Sequence, residues 1–165
     1  MSTNRIKNPI FFHASASYLA QELLGKIICR QMGDGFIIRC RITETEAYSG
    51  NEPFCYGYGG KKAQNKDAIF YSTGKVCVYA DMFMISCTNE DTPDNILIRG
   101  IDCYHKPTEV TEFLDIYSDM GGLDLCSSDV IWIEDDGVQA EYIAAKRVNI
   151  SDTTPQNFRL NKIIY

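Results

Sequence analysis

The feature that most constrains the fold is a run of regular alternation, FIIRCRITETEAY, at residues 36–48. Side chains two apart on a β-strand point to the same face of a sheet, so this run predicts one strand with two distinct faces. One face begins apolar and ends in two carboxylates and a phenol, whereas the other is expected to face solvent. The inward set is Phe36, Ile38, Cys40, Ile42, Glu44, Glu46 and Tyr48, and the outward set is Ile37, Arg39, Arg41, Thr43, Thr45 and Ala47.

Carboxylates that point inward need an explanation, because a buried acid is costly unless it is paired or functional. Two explanations are open for Glu44 and Glu46. One is an ion pair with Arg99, which interrupts the apolar run ILIRGI. The other is hydrolysis in a cleft, where an acid activates water, an arginine orients it and tyrosines hold a flat substrate. Neither a covalent nucleophile nor a cofactor is required.

Length and composition predict one domain over residues 1–165. The chain has 165 residues, of which 45% are hydrophobic and 23% charged, enough to bury its own core. No stretch approaches the roughly 18 consecutive apolar residues of a membrane span, and residues 1–13 lack a signal-peptide pattern. An intracellular protein with no membrane partner is therefore expected, and a monomer is the default.

Metal, disulfide and histidine chemistry are not expected. The seven cysteines are odd in number and contain no C-x-x-C pair, so they read as reduced packing residues. His13 and His105, the two histidines, lie far in sequence from acidic or cysteine clusters. The sequence thus predicts neither a metal site nor a histidine-based catalytic triad.

Charge is distributed unevenly along the chain. The net charge is −6, which argues against binding polyanions by bulk charge. Residues 1–79, however, hold ten Lys and Arg against six Asp and Glu, whereas residues 80–165 hold six against sixteen. Lys61 and Lys62, with Lys66 and Lys75 nearby, could form a local basic face that meets a phosphate backbone. Ordinary solvated loop lysines are the alternative.

The order of elements predicts an α+β fold, with helices flanking a curved and mostly antiparallel sheet. SASYLAQELLGK reads as a helix ending at Gly25, and KPTEVTEFLDIYSDMGG as a second helix that presents Val110, Phe113, Leu114 and Tyr117 on one face. Residues 49–66 are expected to form a long glycine-rich loop. Residues 75–89 are apolar at both odd and even positions, as expected of strand structure buried on two faces. Further strands are expected in KIICRQM, ILIRGID, VIWIEDDG, EYIAAKRVNI and NFRLNKIIY.

Several segments, taken in order, resemble the alkyladenine DNA glycosylase family, also called 3-methyladenine or methylpurine DNA glycosylases. The resemblance runs from about Phe11 to Asp102 and continues more faintly to the end of the chain. Its most specific part is E-T-E-A-Y-x-G within ITETEAYSG; the others are FFHASASYLAQELLGKIICR, IFYSTGKVCVYADMF and ILIRGID.

The resemblance implies a single compact domain and a monofunctional enzyme of base excision repair. Such an enzyme flips an alkylated or deaminated purine out of double-stranded DNA and hydrolyses its N-glycosidic bond. On the family pattern Glu46 would be the general base for the attacking water and Arg99 would help to hold that water. The remaining implied positions are Tyr48, Tyr79 and Tyr56 for stacking on the base, Asn89 for crowding the amino group of guanine, and Met82 as the wedge that fills the gap in the DNA.

The chain also departs from the family pattern, mainly at positions that would contact DNA. Tyr56 stands where a histidine is usual, Met82 and Phe83 replace a tyrosine and a glycine, and the basic stretch of the loop is reduced to residues 62–65. A glycine-proline-glycine-lysine segment is missing after the second helix. The competing hypothesis is therefore a non-catalytic relative that binds a base, a nucleotide or DNA without excision.

Overall fold

Nine strands and two α-helices make up the structure, a computed structural model that describes residues 4–59, 70, 72–87 and 93–165. A short 3₁₀ helix, Pro9–Phe12, follows the first strand, and a second one, Ser118–Met120, follows the second α-helix. In chain order the elements are β1 Asn4–Arg5, α1 Ala16–Glu22, β2 Ile27–Gln31, β3 Ile37–Tyr48, β4 Val76–Tyr79, β5 Met82–Ser86, β6 Asn95–Ile101, α2 Pro107–Phe113, β7 Ile131–Asp135, β8 Gln139–Ala145 and β9 Asn157–Ile164.

The strands form one antiparallel sheet in the order β1-β7-β2-β3-β6-β5-β4, with β9 paired to both β3 and β8. The long strand β3 organises it, since its first half pairs with β2 and its second half with β6 and β9. The predicted α+β class with a curved antiparallel sheet is confirmed. Glu44 and Glu46 thus lie in the most central part of the sheet, where three strands run side by side.

The helices begin where the sequence indicates, but the second ends earlier than expected. The Ser15 hydroxyl caps α1 by accepting from the backbone N–H of Tyr18 at 3.4 Å. Gly25, just past α1, has φ +80°, a conformation that glycine adopts without strain. Pro107 occupies the first turn of α2, but α2 ends at Phe113. Tyr117 therefore lies beyond the helix and is exposed, contrary to the expected apolar face.

Residues 75–87, the described part of this segment, form the expected strand structure buried on two faces, but as two strands, β4 and β5. The segment turns at Ala80 and Asp81, which have φ +48° and +57°, and the two halves pair as the β4–β5 hairpin. Two consecutive residues with positive φ are typical of a type I′ hairpin turn. The usual Asn-Gly signal is absent, so the turn was hidden within an apolar run.

A β-bulge in β3 changes which side chains face the main core. In the β3–β6 ladder, Ile42 pairs with Ile101, Glu44 with Gly100 and Thr45 with Ile98. The register is therefore irregular twice, once on each side of the Glu44–Gly100 pair. Bulges of this kind redirect side chains and are frequent beside functional sites. Before the bulge Cys40 and Ile42 pack in the main core, and after it Ala47 does.

The single register expected for residues 36–48 is therefore wrong. Thr45 and Ala47, expected to face solvent, are buried, and the Thr45 hydroxyl donates to the Ala20 carbonyl of α1 at 2.7 Å. Phe36, expected inside, precedes the strand and is 64% exposed. Glu44 and Glu46 are buried as expected, but they lie on the side of the sheet away from the main core, beside a smaller apolar cluster.

Two apolar clusters sandwich the central part of the sheet. The main cluster lies under α1 and α2 and includes Phe12, Leu23 and Ile98. The smaller cluster consists of Cys55, Phe70, Cys77, Met84 and Leu97, with Tyr48, Tyr56 and Met82 packed against it. None of the helices in the described part of the chain has the length and apolar character needed to cross a membrane.

Candidate active site

A cleft of about 930 Å³ opens above the smaller apolar cluster. Its floor comes from β3, β5 and β6, and its walls come from the loop after β3 and from the segment after β8. A volume of this size suits a small molecule or a single nucleotide. The lining residues are Glu46, Tyr48, Phe54, Cys55, Tyr56, Tyr79, Met82, Met84, Asn95, Leu97, Arg99, Val148, Asn149 and Ile150.

Among the described residues that line the cleft, Glu46 is the acidic one, and it is only 1% exposed. Its Oε1 accepts from the backbone N–H of Val148 at 2.8 Å and from Asn157 Nδ2 at 3.1 Å. Its Oε2 accepts from the Tyr48 hydroxyl at 2.8 Å. Three donors from three parts of the chain hold the carboxylate in one orientation, which offsets part of the cost of its burial.

A second carboxylate, Glu44, lies beside Glu46 and shares its partners. Asn157 Nδ2 bridges the pair, because it lies 2.7 Å from Glu44 Oε1 as well as 3.1 Å from Glu46 Oε1. Arg99 Nε lies 3.2 Å from Glu44 Oε1 and 3.8 Å from Glu46 Oε1. Arg159 Nε also donates to Glu44 Oε1 at 3.2 Å. Two guanidinium groups thus offset two buried negative charges, which would otherwise repel each other.

The backbone of β6 brings Arg99 close to both acids. Opposite Glu44 on β6 lies Gly100, where an added Cβ would come within 3.1 Å of Glu44 Cβ and of Thr43 Oγ1. Glycine is therefore needed here for close approach of the two strands. The bulge leaves Arg99 between the Gly100 and Ile98 pairs, and its side chain reaches the cleft.

Tyr48 links the acid to the wall of the cleft. Burial, and then the neighbouring Glu46 carboxylate, raise the pKa of the Tyr48 phenol, so the hydroxyl stays protonated and donates to Glu46. The Tyr48 ring also lies beneath a guanidinium, since Arg147 Cζ is 4.8 Å from the ring centroid. This cation–π contact fixes the plane of the ring.

Arg147 has a fully buried side chain and ties the wall to the sheet. Its Nη1 donates to the Ala47 carbonyl at 2.9 Å and to Glu52 at 2.8 Å, and its Nη2 donates to Asp152 at 2.8 Å. Burial opposes ionisation, but these acidic partners raise the pKa of Arg147 overall. The residue after it, Val148, supplies the backbone N–H to Glu46, so Arg147 anchors one of the three donors of that carboxylate.

Two further tyrosines form a stacked pair at the mouth of the cleft. The ring centroids of Tyr56 and Tyr79 are 3.6 Å apart at an interplanar angle of 20°. Tyr79 is 44% exposed, whereas Tyr56 is half-buried. Because the inner faces of the two rings contact each other, a bound ring would stack on one of the outer faces of the pair.

Most of the residues predicted for the site lie in this cleft. Glu46, Tyr48, Tyr56, Tyr79, Met82 and Arg99 all line it, although they come from the strands β3 to β6 and from the loop after β3. Asn89, Lys61 and Lys62 lie outside the described residues, and their roles stay predictions. Among the described residues, no three His, Cys, Asp or Glu side chains are grouped so that they could share a metal ion.

The sequence reasoning missed Asn95, which lines the cleft, and also Asn157 and Arg147, which hold Glu46 and Tyr48 in place from behind the lining. A signal existed for Asn157 in the strand NFRLNKIIY. Asn157 and Arg159 are two residues apart and so share one face of the strand, whereas Phe158 between them points to the other face, into the main core. Arg147 carries no such signal, since it is one of two adjacent basic residues after an exposed strand. Asn95 immediately precedes the expected strand ILIRGID, whereas it is the first residue of β6 in the structure.

A comparison with protein families agrees with this geometry. The family model of methylpurine-DNA glycosylase matches residues 10–106, which is more than half of the chain and includes β3, β6 and the floor of the cleft. The chain therefore belongs to the methylpurine-DNA glycosylase family, a class of DNA glycosylases for alkylated bases.

Individual relatives extend the match beyond the family model. A protein of Borrelia garinii subsp. bavariensis is 28% identical over 159 residues, covering 86% of this chain and 85% of its own. A protein of Clostridium perfringens is 28% identical over 176 residues, with 85% of each chain covered. A protein of Clostridium beijerinckii is 35% identical over 103 residues, 59% of this chain and 50% of its own. Each carries the name "Putative 3-methyladenine DNA glycosylase".

Proposed function

We propose that this protein excises alkylated purines, 3-methyladenine among them, from double-stranded DNA by hydrolysing the N-glycosidic bond. The observation that carries the proposal is the Glu46 carboxylate, held by three donors in an aromatic-walled cleft beside Arg99. Enzymes that act on a base within a duplex must extrude it into such a pocket, and damage lowers the cost of extrusion.

The cleft suits a flat cationic base. A purine alkylated at N3 or N7 within DNA carries positive charge, which strengthens its attraction to tyrosine faces and makes it a better leaving group. Tyr48 and the Tyr56–Tyr79 pair offer these faces. The positive charge of Arg147 does not oppose binding strongly, because Glu52 and Asp152 pair with it. Deaminated purines such as hypoxanthine are not cationic and belong to the proposal as slower substrates.

Glu46 has room to activate a water molecule. An ionised carboxylate offers about four acceptor positions, of which Oε1 uses two and Oε2 one. The remaining position on Oε2 is the proposed binding point of the attacking water, and Arg99 helps to orient that water. As the bond breaks, the sugar takes on oxocarbenium character, which the carboxylate stabilises electrostatically.

The reaction proposed is direct hydrolysis. No lysine is found among the described residues that line the cleft, so within that set no amine is placed to form a covalent intermediate with the sugar. Met82, an apolar side chain at the cleft mouth, is the proposed wedge into the base stack. Lys61 and Lys62 are the proposed phosphate contacts.

The proposal is tested with a duplex that has been methylated and radiolabelled. Purified protein is expected to release free 3-methyladenine, resolved by chromatography, and to leave abasic sites that break only after treatment with hot alkali. Strand breaks without alkali would contradict direct hydrolysis. If no damaged base is released while circular dichroism shows an intact fold, the protein is a non-catalytic relative. A salt dependence of duplex binding near zero would contradict the phosphate contacts.

A further inference from the structure

Asn95 lies on the floor of the cleft, directly opposite Tyr48 in the β3–β6 ladder. Directly paired residues of neighbouring strands point to the same face of a sheet, so the amide of Asn95 lies beside the Tyr48 ring. The residue lines the cleft although only 1% of its surface is exposed. A buried amide of this kind needs partners for its two N–H groups and for its oxygen.

The amide nitrogen is already bonded to the protein, whereas the amide oxygen is not. Asn95 Nδ2 donates to the Pro93 carbonyl at 3.3 Å and to Cys55 Sγ at 3.2 Å. Within the described part of the chain, Asn95 Oδ1 has no hydrogen-bond partner. The floor of the cleft thus presents an unused acceptor.

The direction of this amide is fixed by its neighbours. If the group turned over, its oxygen would face the Pro93 carbonyl, and two acceptors would repel each other. Cys55 supports the same orientation, because its thiol donates to the Pro93 carbonyl at 3.4 Å while its sulfur accepts from Asn95. Burial raises the pKa of the Cys55 thiol, so the proton stays in place at neutral pH.

The spacing from the catalytic carboxylate fits a purine. Leu97 is the β6 residue paired with Glu46, and Asn95 lies two residues further along the strand, about 6.6 Å away. A purine that stacks on Tyr48 with its glycosidic bond near Glu46 would therefore direct its six-membered ring towards Asn95.

We propose that Asn95 Oδ1 accepts a hydrogen bond from the 6-amino group of the extruded base, and that the site thereby prefers adenine-derived over 6-oxo purines. This inference rests on the proposed function. A 6-oxo group would place oxygen against oxygen, and the fixed amide cannot turn to relieve the contact. A site built to bond a donor rejects a ligand that lacks it by at least about tenfold.

The test compares excision of 3-methyladenine and of hypoxanthine from matched duplexes by wild type and Asn95→Leu. The two bases differ in their leaving ability, so the informative quantity is the change in the ratio of their single-turnover rates. Asn95→Leu is expected to reduce the preference for 3-methyladenine by at least about tenfold. Asn161→Leu, the same change at an exposed position of β9, is expected to leave the ratio unchanged. An unchanged ratio in Asn95→Leu would overturn the inference.

Equilibrium dialysis of wild-type protein with free adenine and free hypoxanthine provides a measurement that depends on neither catalysis nor the variant. Adenine is expected to bind at least about tenfold more tightly. Equal binding would overturn the base preference even if excision of 3-methyladenine is observed. If instead adenine is preferred but no base is excised, the glycosylase proposal fails and the preference of the pocket stands.

Discussion

The Tyr48 hydroxyl donates a hydrogen bond to Glu46 Oε2 at 2.8 Å, between two residues on the same face of β3. The sheet therefore positions both the acid and one of its donors through a single strand. The other two donors, Val148 N–H and Asn157 Nδ2, come from segments more than 100 residues later. One donor to the carboxylate is thus close to Glu46 in sequence, and the other two come from the last third of the chain.

Tyr48→Phe should slow excision. Loss of the hydroxyl removes one of the three donors that hold the Glu46 carboxylate in one orientation, while the aromatic ring remains. The single-turnover rate should therefore fall by about twofold to tenfold. A rate equal to that of wild type would show that this hydrogen bond does not act on Glu46.

The same variant should lose stability in a pH-dependent manner. The bond to Glu46 contributes about 1.5–3 kcal/mol to the free energy of unfolding. Because the pKa of Tyr48 is raised in the folded state, this contribution is complete below the phenol's usual pKa of about 10 and is lost as the pH rises through the higher folded value. Urea unfolding of wild type and variant between pH 7 and pH 11 measures the difference.

Asn157→Asp should impair the acid by adding a like charge beside it. Asn157 Nδ2 now bridges Glu44 and Glu46, and a carboxylate in its place would lose both hydrogen bonds and repel the two acids. We expect the single-turnover rate of excision at neutral pH to fall by at least about tenfold. Asn161→Asp adds the same charge at an exposed position of β9 and should leave the rate unchanged. Equal rates for the two variants would contradict the bridging role.

Gly100→Ala should destabilise the protein by disturbing the strand contact that holds Glu44. An added Cβ would come within 3.1 Å of Glu44 Cβ and 3.3 Å of the Tyr104 carbonyl. Overpacking of this kind costs about 1–3 kcal/mol of unfolding free energy. Gly33→Ala is the matched control, because a Cβ there meets nothing within 4 Å. A loss of stability in Gly100→Ala no larger than in the control would show that the strands can separate without cost.

Arg147→Met should weaken the wall of the cleft. The change leaves Glu52 and Asp152 without their partner and removes the bond to the Ala47 carbonyl. Since both acids are partly exposed, we expect a loss of about 2 kcal/mol, less than for a fully buried pair. Lys106→Met, which breaks an exposed ion pair with Glu109, should change stability by less than about 0.5 kcal/mol. Similar losses in both variants, measured by urea unfolding, would contradict the anchoring role.

The part of the site that follows strand periodicity could be predicted from sequence. Alternation in β3 indicated that Glu46 and Tyr48 share a face, and the interrupted apolar run of β6 singled out Arg99. These predictions depend on contacts within one strand or between strands whose apolar pattern is strong. The fold class followed from the same patterns and is confirmed.

The remainder depended on features that alternation does not encode. The bulge near Thr43 moved Ala47 into the main core, and no residue type in ITETEAY marks that change. The turn at Ala80 and Asp81 uses positive φ without glycine or asparagine, so the β4–β5 hairpin was not recognised. Asn157 and Arg147 contact Glu46 and Tyr48 through long-range pairing, which one sequence does not specify.

The central claim is that the Glu46 carboxylate activates the water that attacks the sugar, and Glu46→Gln tests it most directly. The amide keeps the shape of the side chain but cannot accept a proton, so duplex binding should persist while the single-turnover release of 3-methyladenine falls by at least about a hundredfold. Release by Glu46→Gln at a rate within a few-fold of wild type, with binding unchanged, would contradict the claim.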